Sequence, residues 1–403
     1  MNIILASEVI HPGGAETFIL RLAQALHKNG HDARVFVFYN DMLNRELCKL
    51  IAPDVIIVPA NIPANILLRK IDGLLFRLKI DFSLRNIFIK KSLKRLITHH
   101  RTEVIHSHLL KVDALCLDVA DEEKIPVVDT IHGDYLQFFE KTRNNVAIPL
   151  LNYTKKAQNN LRKLSAVVCI SDKQTGFFRE NFRHETAGKV SKIYNGYTGR
   201  VTEDAQKMKK QLGIGETDFV FGMVSRGIPD KGWQVAIDAF MQLDRKDTRL
   251  ILTGQSEYLS ALQQKYAGEP GIHFTGHADN PINWINIFDV GLLPSTYPSE
   301  SLPTVIIEYL YCRVPVIASD AGEIINMTGQ ATTPAGIIIP VKEGVVNAAT
   351  VANAMQQYIT DKELYQTHKQ NTALCYNMFD MNKCVDAYTD IYSESINNTG
   401  KKR

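Results

Sequence analysis

In the stretch "SRGIPDKG" an arginine, Arg226, and a lysine, Lys231, stand five residues apart in a glycine-bearing turn between an apolar strand and an amphipathic helix. Cations at the carboxyl end of a strand, beside a helix N-terminus, are where an α/β protein gathers phosphate. Arg226 offers a planar fork to phosphate oxygens and Lys231 a compact charge, while Gly227 and Gly232 let the loop close around a ligand. A solvated surface loop is the plainer reading, and position favours phosphate over it. Further on, Glu300 falls in a polar loop after a buried strand, and Glu308 in the helix that follows, expected to start near Pro303. Two carboxylates at such a mouth are good acceptors for paired sugar hydroxyls. Taken alone, they also read as a loop charge and an early-helix charge.

The first half offers weaker groups. Gly13-Gly14 precede a helix, where backbone amides approach an anion, although a tight strand-to-helix turn explains them equally well. They are not the spaced glycine fingerprint of dinucleotide enzymes, and no acid clearly closes the second strand, which lowers a dehydrogenase reading. His132 leaves a strand with Gly133 clearing space beside it, and is placed to polarise an oxygen or bond a phosphate or hydroxyl. His106 and His108 read as histidines satisfied by backbone at a sheet edge. No cysteine or acid stands at metal-ligand spacing from these histidines, so zinc is not expected.

Elements that hold such residues alternate along the chain as strand and helix, which argues for parallel sheets wrapped by helices. Strands are expected at Asn2–Ala6, Ala33–Phe38, Asp54–Val58, Glu103–His106, Pro126–Ile131, Ala166–Ile170 and Val190–Tyr194. After Gly199 they resume at Phe219–Val224, Arg249–Thr253, Ile272–Phe274, Asp289–Leu293, Val314–Ala318 and Gly336–Ile339. The joint falls at Asn195-Gly196-Tyr197-Thr198-Gly199, whose glycines permit a sharp change of direction. A last helical face runs through Cys384, Val385, Tyr388, Ile391 and Tyr392, with Asp380 as its N-cap, and the tail from Asn397 reads as disordered. If the carboxyl ends of the two sheets face each other, substrate lies between the domains.

Bulk properties bound the answer. At 403 residues the chain has room for two domains, and a net charge of +3 implies no nucleic-acid partner. Six cysteines without a C-x-x-C pair fit reduced core thiols. No secretory leader or membrane-spanning run is read at the start or elsewhere, so a cytoplasmic location is expected.

In order and spacing, these segments resemble the family-4 retaining glycosyltransferases of GT-B architecture, over nearly the whole chain. The resemblance is carried by "GGAETFILRLAQALHKNGHDARVFV", "TIHG", "IYNG", "SRGIPDKG", "FTGHADNPINWINIFDVGLLPS", the pair Glu300 and Glu308 with seven residues between them, and "VPVIASDAGEI". It implies two doubly wound Rossmann-like domains facing across a cleft: residues 1–195 for the acceptor, 200–378 for the nucleotide sugar, and 379–396 a helix returning to the first domain. It further implies that Arg226 and Lys231 neutralise the leaving diphosphate, that His132 contacts the transferred sugar or its phosphate, and that Glu300 orients sugar hydroxyls. These four are the catalytic candidates. Gly13 and Gly14 would approach the diphosphate or acceptor, and Glu308 the ribose. Ser301, Leu302, Pro303 and Thr304 form the segment whose backbone amides would meet the donor. Asn195, Gly196, Gly254, Gly276 and His277 are carried over as further donor-binding positions. No metal and no cofactor is expected, the nucleotide sugar being a substrate. The chain departs from the family pattern at Ser301-Leu302, at Tyr309-Leu310-Tyr311, at Arg313 and at Tyr197-Thr198.

The reaction this implies is transfer of a sugar, with retention, from a nucleotide diphosphate (a uridine donor by resemblance) to a hydroxyl of a glycan or lipid-linked acceptor in surface polysaccharide or lipopolysaccharide synthesis. A front-face route is favoured over double displacement through Glu300. A nucleotide-sugar epimerase or hydrolase, and a non-catalytic two-domain binding protein, are the alternatives. Between Asn61 and Arg101, ten Lys and Arg oppose only Asp72 and Asp81, interleaved with apolar residues at helical spacing. That pattern suits an anionic membrane face or a lipid-linked phosphate as well as an ordinary solvated helix, and extends the expected location to the inner face of the cell membrane.

Overall fold

The computed structural model describes residues 1–108, 110–133, 153–243 and 245–400. They form two units, Met1–Gly196 with Met381–Arg403, and Tyr197–Asp380.

The first unit is built on a parallel sheet of seven strands: β1 Asn2–Ser7, β2 Asp32–Val37, β3 Ile56–Pro59, β4 Val104–His108, β5 Val127–Ile131, β6 Ala166–Cys169 and β7 Val190–Lys192, in the order β3-β2-β1-β4-β5-β6-β7. Its central strands are apolar on both faces, as strands covered by helices on both sides must be. One face is covered by the Gly14–Lys28 and Met381–Gly400 helices through Leu22, Leu26, Val385 and Tyr388. The other is covered by the Leu84–His100 and Leu110–Glu123 helices through Leu93, Val112 and Cys116. The last helix does not lose order at Asn397. It continues to Gly400 because Ser395 is still buried and Ile396 still packs on the core.

The second unit holds six parallel strands, β8 Phe219–Val224, β9 Thr248–Thr253, β10 Ile272–Gly276, β11 Val290–Leu293, β12 Val316–Ser319 and β13 Gly336–Ile339, in the order β10-β9-β8-β11-β12-β13. Trp233, Ala236 and Ile237 on one helix and Val351 and Met355 on another fill one face. Both units are Rossmann-like, and all thirteen expected strands are present with ends shifted by about two residues or less. In each sheet the order reverses once, between β1 and β4 and between β8 and β11. The loops leaving those strands are therefore where each unit offers a ligand crevice.

Candidate active site

In the second unit β8 and β11 diverge after a short pairing, Val290 with Phe221 and Gly291 with Gly222. The chain leaving β8 passes Arg226 and turns through Pro229–Lys231. At Gly232 the backbone takes φ 85°, and a Cβ there would lie 2.1 Å from the carbonyl oxygen of Pro294, so only glycine lets the two loops touch. The Thr296 amide then donates to the Asp230 carbonyl at 2.7 Å, stitching the loops together. Lys231 Nζ lies 2.5 Å from Glu300 Oε2, with only 7% and 8% of the two side chains exposed. Ser295 Oγ reaches the same carboxylate oxygen at 3.0 Å.

Arg226 stands otherwise. It is exposed and has no carboxylate partner among the described residues; its guanidinium lies 5.0 Å from the Tyr297 ring centroid, and Lys231 Nζ lies 4.7 Å from the same centroid. The Trp233 indole donates to the Arg226 carbonyl at 3.0 Å, which fixes the backbone from which the guanidinium projects. Here a buried ion pair and a free guanidinium flank one tyrosine face, an arrangement that an arriving dianion can enter without new cations being recruited.

Around this centre, Gly322 takes φ 59°, where a Cβ would lie 2.5 Å from the Glu300 carbonyl oxygen, and the Glu323 amide donates to the Ser301 carbonyl at 2.9 Å. Gly254 abuts the Ser225 carbonyl. Pro303 is the residue before the Thr304–Tyr311 helix, not its first helical residue, so the first-turn amides open beside Ser301 and Leu302. Glu308 is buried on that helix, and Glu300, whose side chain is also buried, is not a solvated loop charge. His277 follows Gly276 onto the surface and pairs with Asp279 at 3.2 Å; no hydrogen bond or ion pair joins it to Arg226, Lys231 or Glu300.

Two residues in this unit escaped the sequence reading. Tyr297 supplies the ring shared by the two cations. Tyr309 is fully buried, and its hydroxyl accepts from the Val224 amide at 3.1 Å and donates to the Leu292 carbonyl at 3.2 Å. It therefore spans the fork where β8 and β11 part, one residue before Ser225. Its ring fits because Gly291 has no side chain: a Cβ there would lie 2.6 Å from it. Gly222 and Gly291, one in each expected strand, were the available signal.

In the first unit, β4 is central, not an edge, and its histidines bond to side chains rather than backbone. His106 bonds Thr130 Oγ1 at 2.8 Å and the Tyr392 hydroxyl at 2.7 Å, and Tyr388 bonds the same threonine at 2.8 Å. His108 Nδ1 lies 2.9 Å from His132 Nε2, and His132 packs 5.6 Å from the Phe18 ring. The sheet-edge description of His106 and His108 is thus replaced by a buried chain of rings. Burial pushes His132 down to about 3 and His106 and His108 well below the ordinary histidine range, so all three are neutral at neutral pH. His108 Nε2 and His132 Nδ1 have no hydrogen-bond partner among the described residues.

Gly13 and Gly14 open the first helix, but the Glu16 carboxylate folds back on them: a Cβ at Gly13 would lie 2.4 Å from Glu16 Oε2. Desolvation raises the pKa of Glu16, opposed by its own backbone amide and by His11. Asn195 is buried with Oδ1 unpartnered among the described residues, and Gly196 packs on Met381 and Cys384 of the last helix. So His132, Gly13, Gly14, Asn195 and Gly196 belong to the first unit, and the remaining candidates to the second.

Two Rossmann-like units, each with a cluster of polar side chains at the carboxyl ends of its strands, define the fold class, and comparison with known proteins gives the family. Residues 12–198 match the family profile described as "Glycosyltransferase Family 4", and residues 204–374 that described as "Glycosyl transferases group 1". The chain belongs to the family-4 glycosyltransferases of GT-B architecture. It is 25% identical over 349 residues to the alpha-monoglucosyldiacylglycerol synthase of Acholeplasma laidlawii, covering 79% of this chain and 80% of that one. It is 24% identical over 235 residues to TuaC of Bacillus subtilis (strain 168), whose name assigns it to teichuronic acid biosynthesis; that match spans 57% of this chain and only 56% of TuaC. Among solved structures, Anabaena HepE in complex with UDP shares the fold with TM-score 0.73 and 21% identity, over 98% of this chain and 100% of that one.

Proposed function

We propose that this glycosyltransferase moves a sugar from a uridine diphosphate donor to a hydroxyl of a glycan or lipid-linked acceptor, with retention at the anomeric carbon, in the synthesis of a surface polysaccharide or glycolipid. The observation that carries the reading is the Lys231–Glu300 pair with Arg226 beside it at the β8/β11 fork. HepE, solved with UDP and with UDP-glucose, supports the choice of base, and the names of TuaC and the glucosyldiacylglycerol synthase support the acceptor class.

On donor arrival the diphosphate takes Arg226 and Lys231, and Glu300, released from Lys231, accepts hydrogen bonds from sugar hydroxyls. The bond between the anomeric carbon and the phosphate oxygen breaks as one to the acceptor oxygen forms on the same face. The acceptor's proton passes to the departing phosphate oxygen, and a nucleoside diphosphate leaves. Charge building on that oxygen meets the two cations and the amides opening the Thr304–Tyr311 helix, so stabilisation is electrostatic. Neutral His132 serves as a hydrogen-bonding partner, not as a counter-charge. Glu308 holds the ribose. Cations in these positions leave no charge role for a divalent metal. The test is a panel of nucleotide sugars with and without acceptor, the product's anomeric configuration read by NMR. Nucleotide release that needs no acceptor would make the protein a hydrolase, and an inverted anomer would remove the same-face route.

A further inference from the structure

Both cations at the β8/β11 fork share a partner that carries no charge. Tyr297 offers its ring to the Arg226 guanidinium, 5.0 Å from the centroid, and to Lys231 Nζ, 4.7 Å from it. The backbone that carries this ring is pinned. The Tyr297 amide donates to Ser295 Oγ at 3.2 Å, and its carbonyl accepts from the Glu300 amide at 3.1 Å. That second bond closes a turn with Pro298 in its second position, where the fixed φ of proline is favoured. Ser295 Oγ also donates to Glu300 Oε2 at 3.0 Å, so one hydroxyl registers both the ring and the carboxylate that share Lys231. The two partners of Lys231 are unlike. A carboxylate competes with an incoming phosphate for the ammonium charge. An aromatic face attracts the cation through its quadrupole and leaves that charge available. Arg226 is exposed and has rotamer freedom to lose when it grips an anion. A ring that already holds it reduces the loss without neutralising it.

We propose that Tyr297 is the positioning residue of the fork: its ring keeps Lys231 in place while that lysine exchanges Glu300 for the donor's diphosphate, and it holds the Arg226 guanidinium ready with its charge free. This role presupposes that the fork receives the diphosphate. An acid at position 297 would hold the cations as firmly but cancel the attraction that the diphosphate needs. With the ring, phosphate meets cations already gathered, and its apparent affinity rises with the fraction of molecules in which they are so placed. Once the donor is bound, its own oxygens hold both cations. Tyr297 therefore acts through Arg226 and Lys231 on donor binding, and its loss raises donor KM more than it lowers kcat.

The test uses the full chain with Tyr297→Phe as reference, and with mono-, di- and trifluorophenylalanine placed at the same position. Each fluorine draws negative charge from the ring face with little change of size, so folding and packing are held constant. UDP affinity, read by calorimetric titration, is expected to fall stepwise along the series, ending about fivefold below Tyr297→Phe. Donor KM rises in parallel while kcat stays within about twofold. Without donor, the Lys231 methylene beside the ammonium, assigned in isotope-labelled protein with Lys231→Gln, is expected to resonate upfield of its position in Tyr297→Leu. A flat fluorine series, or a Lys231 signal that Tyr297→Leu leaves unmoved, overturns the role of the ring. A loss at Tyr297→Phe equal to that at Arg226→Gln would give the role to the hydroxyl and overturn it likewise. UDP bound by Arg226→Gln and Lys231→Gln as tightly as by wild type would instead bring down the fork as the phosphate site, and the role of Tyr297 with it.

Discussion

At the mouth of β8 and β11 the polar groups are ionic and ready-paired, Lys231 against Glu300 with Arg226 alongside, whereas at the ends of β4 and β5 they are neutral rings, His106 bonded to Thr130 and Tyr392, and His108 to His132. The first sits where its sheet reverses its strand order, between β8 and β11, and the second lies one strand beyond the reversal between β1 and β4. The difference lies in what burial does to each. In the second unit two opposite charges are buried against one another, an arrangement in which an arriving anion can replace one of them. In the first unit His106 and His108 are buried and His132 half-buried, with no acid bonded to them among the described residues, and desolvation discharges them. A leaving diphosphate needs the former; a sugar hydroxyl, which carries no charge, is better met by the latter.

The comparison breaks most readily at the cations. Arg226→Ala with Lys231→Ala is expected to lower kcat/KM by roughly 1,000-fold or more, since single electrostatic donors at a developing anion contribute about 100- to 1,000-fold. Transfer within a few-fold of wild type would remove the phosphate assignment. If the histidine chain works by hydrogen bonding, His132→Ala lowers kcat about 100-fold while leaving the affinity for UDP unchanged. An equal loss of UDP affinity would instead place His132 in nucleotide binding.

Smaller effects sharpen the picture. Tyr309→Phe deletes the bridge across the β8/β11 fork and costs about 1–3 kcal/mol of stability in the second unit, with a several-fold rise in donor KM. Trp233 and Trp284 both lie in that unit, so tryptophan fluorescence reports its melting directly. A stability loss without the KM change would reduce Tyr309 to packing.

The neutral histidines give a sign that can be checked. Their folded pKa lies below the ordinary 6.5, so beneath that pH the unfolded chain binds protons that the folded one refuses, and stability falls with acid. Asp113, buried and bonded to Ser107 at 2.6 Å, is pushed the other way, to about 7, chiefly by desolvation. It keeps its proton when folded and releases it when unfolded above about 3.8, so it opposes the histidines over the same window. Three against one, the histidines win: the protection of β4 and β5 amides, relative to their intrinsic exchange at each pH, is expected to fall from pH 6.5 downward, with less change in β8 and β11. On the proposed mechanism the smallest effect is that of EDTA, which is expected to leave transfer within about twofold.

Much of this was legible because parallel strands covered on both faces are apolar runs, which is why Asn2–Ser7 and Phe219–Val224 stand out in the chain. Arg226 and Lys231 were legible from position. Their context was not: the Lys231–Glu300 pair joins residues 69 apart, and His108 meets His132 across 24. Neither has a local periodicity to betray it. Tyr309 read as a departure from a small-residue pattern, and only the adjacency of Gly291 and the forked strands turns it into a bridge. The last helix outran its expected end because burial at Ser395 and Ile396 overrides the polar composition around them.

Calorimetric titration of UDP into the wild type and into Lys231→Gln and Arg226→Gln tests the central assignment most directly. Loss of either charge-assisted partner is expected to weaken UDP binding by about tenfold or more. Affinities within twofold of wild type in both variants would mean that the nucleotide's phosphates lie elsewhere, and the account of the fork would be wrong.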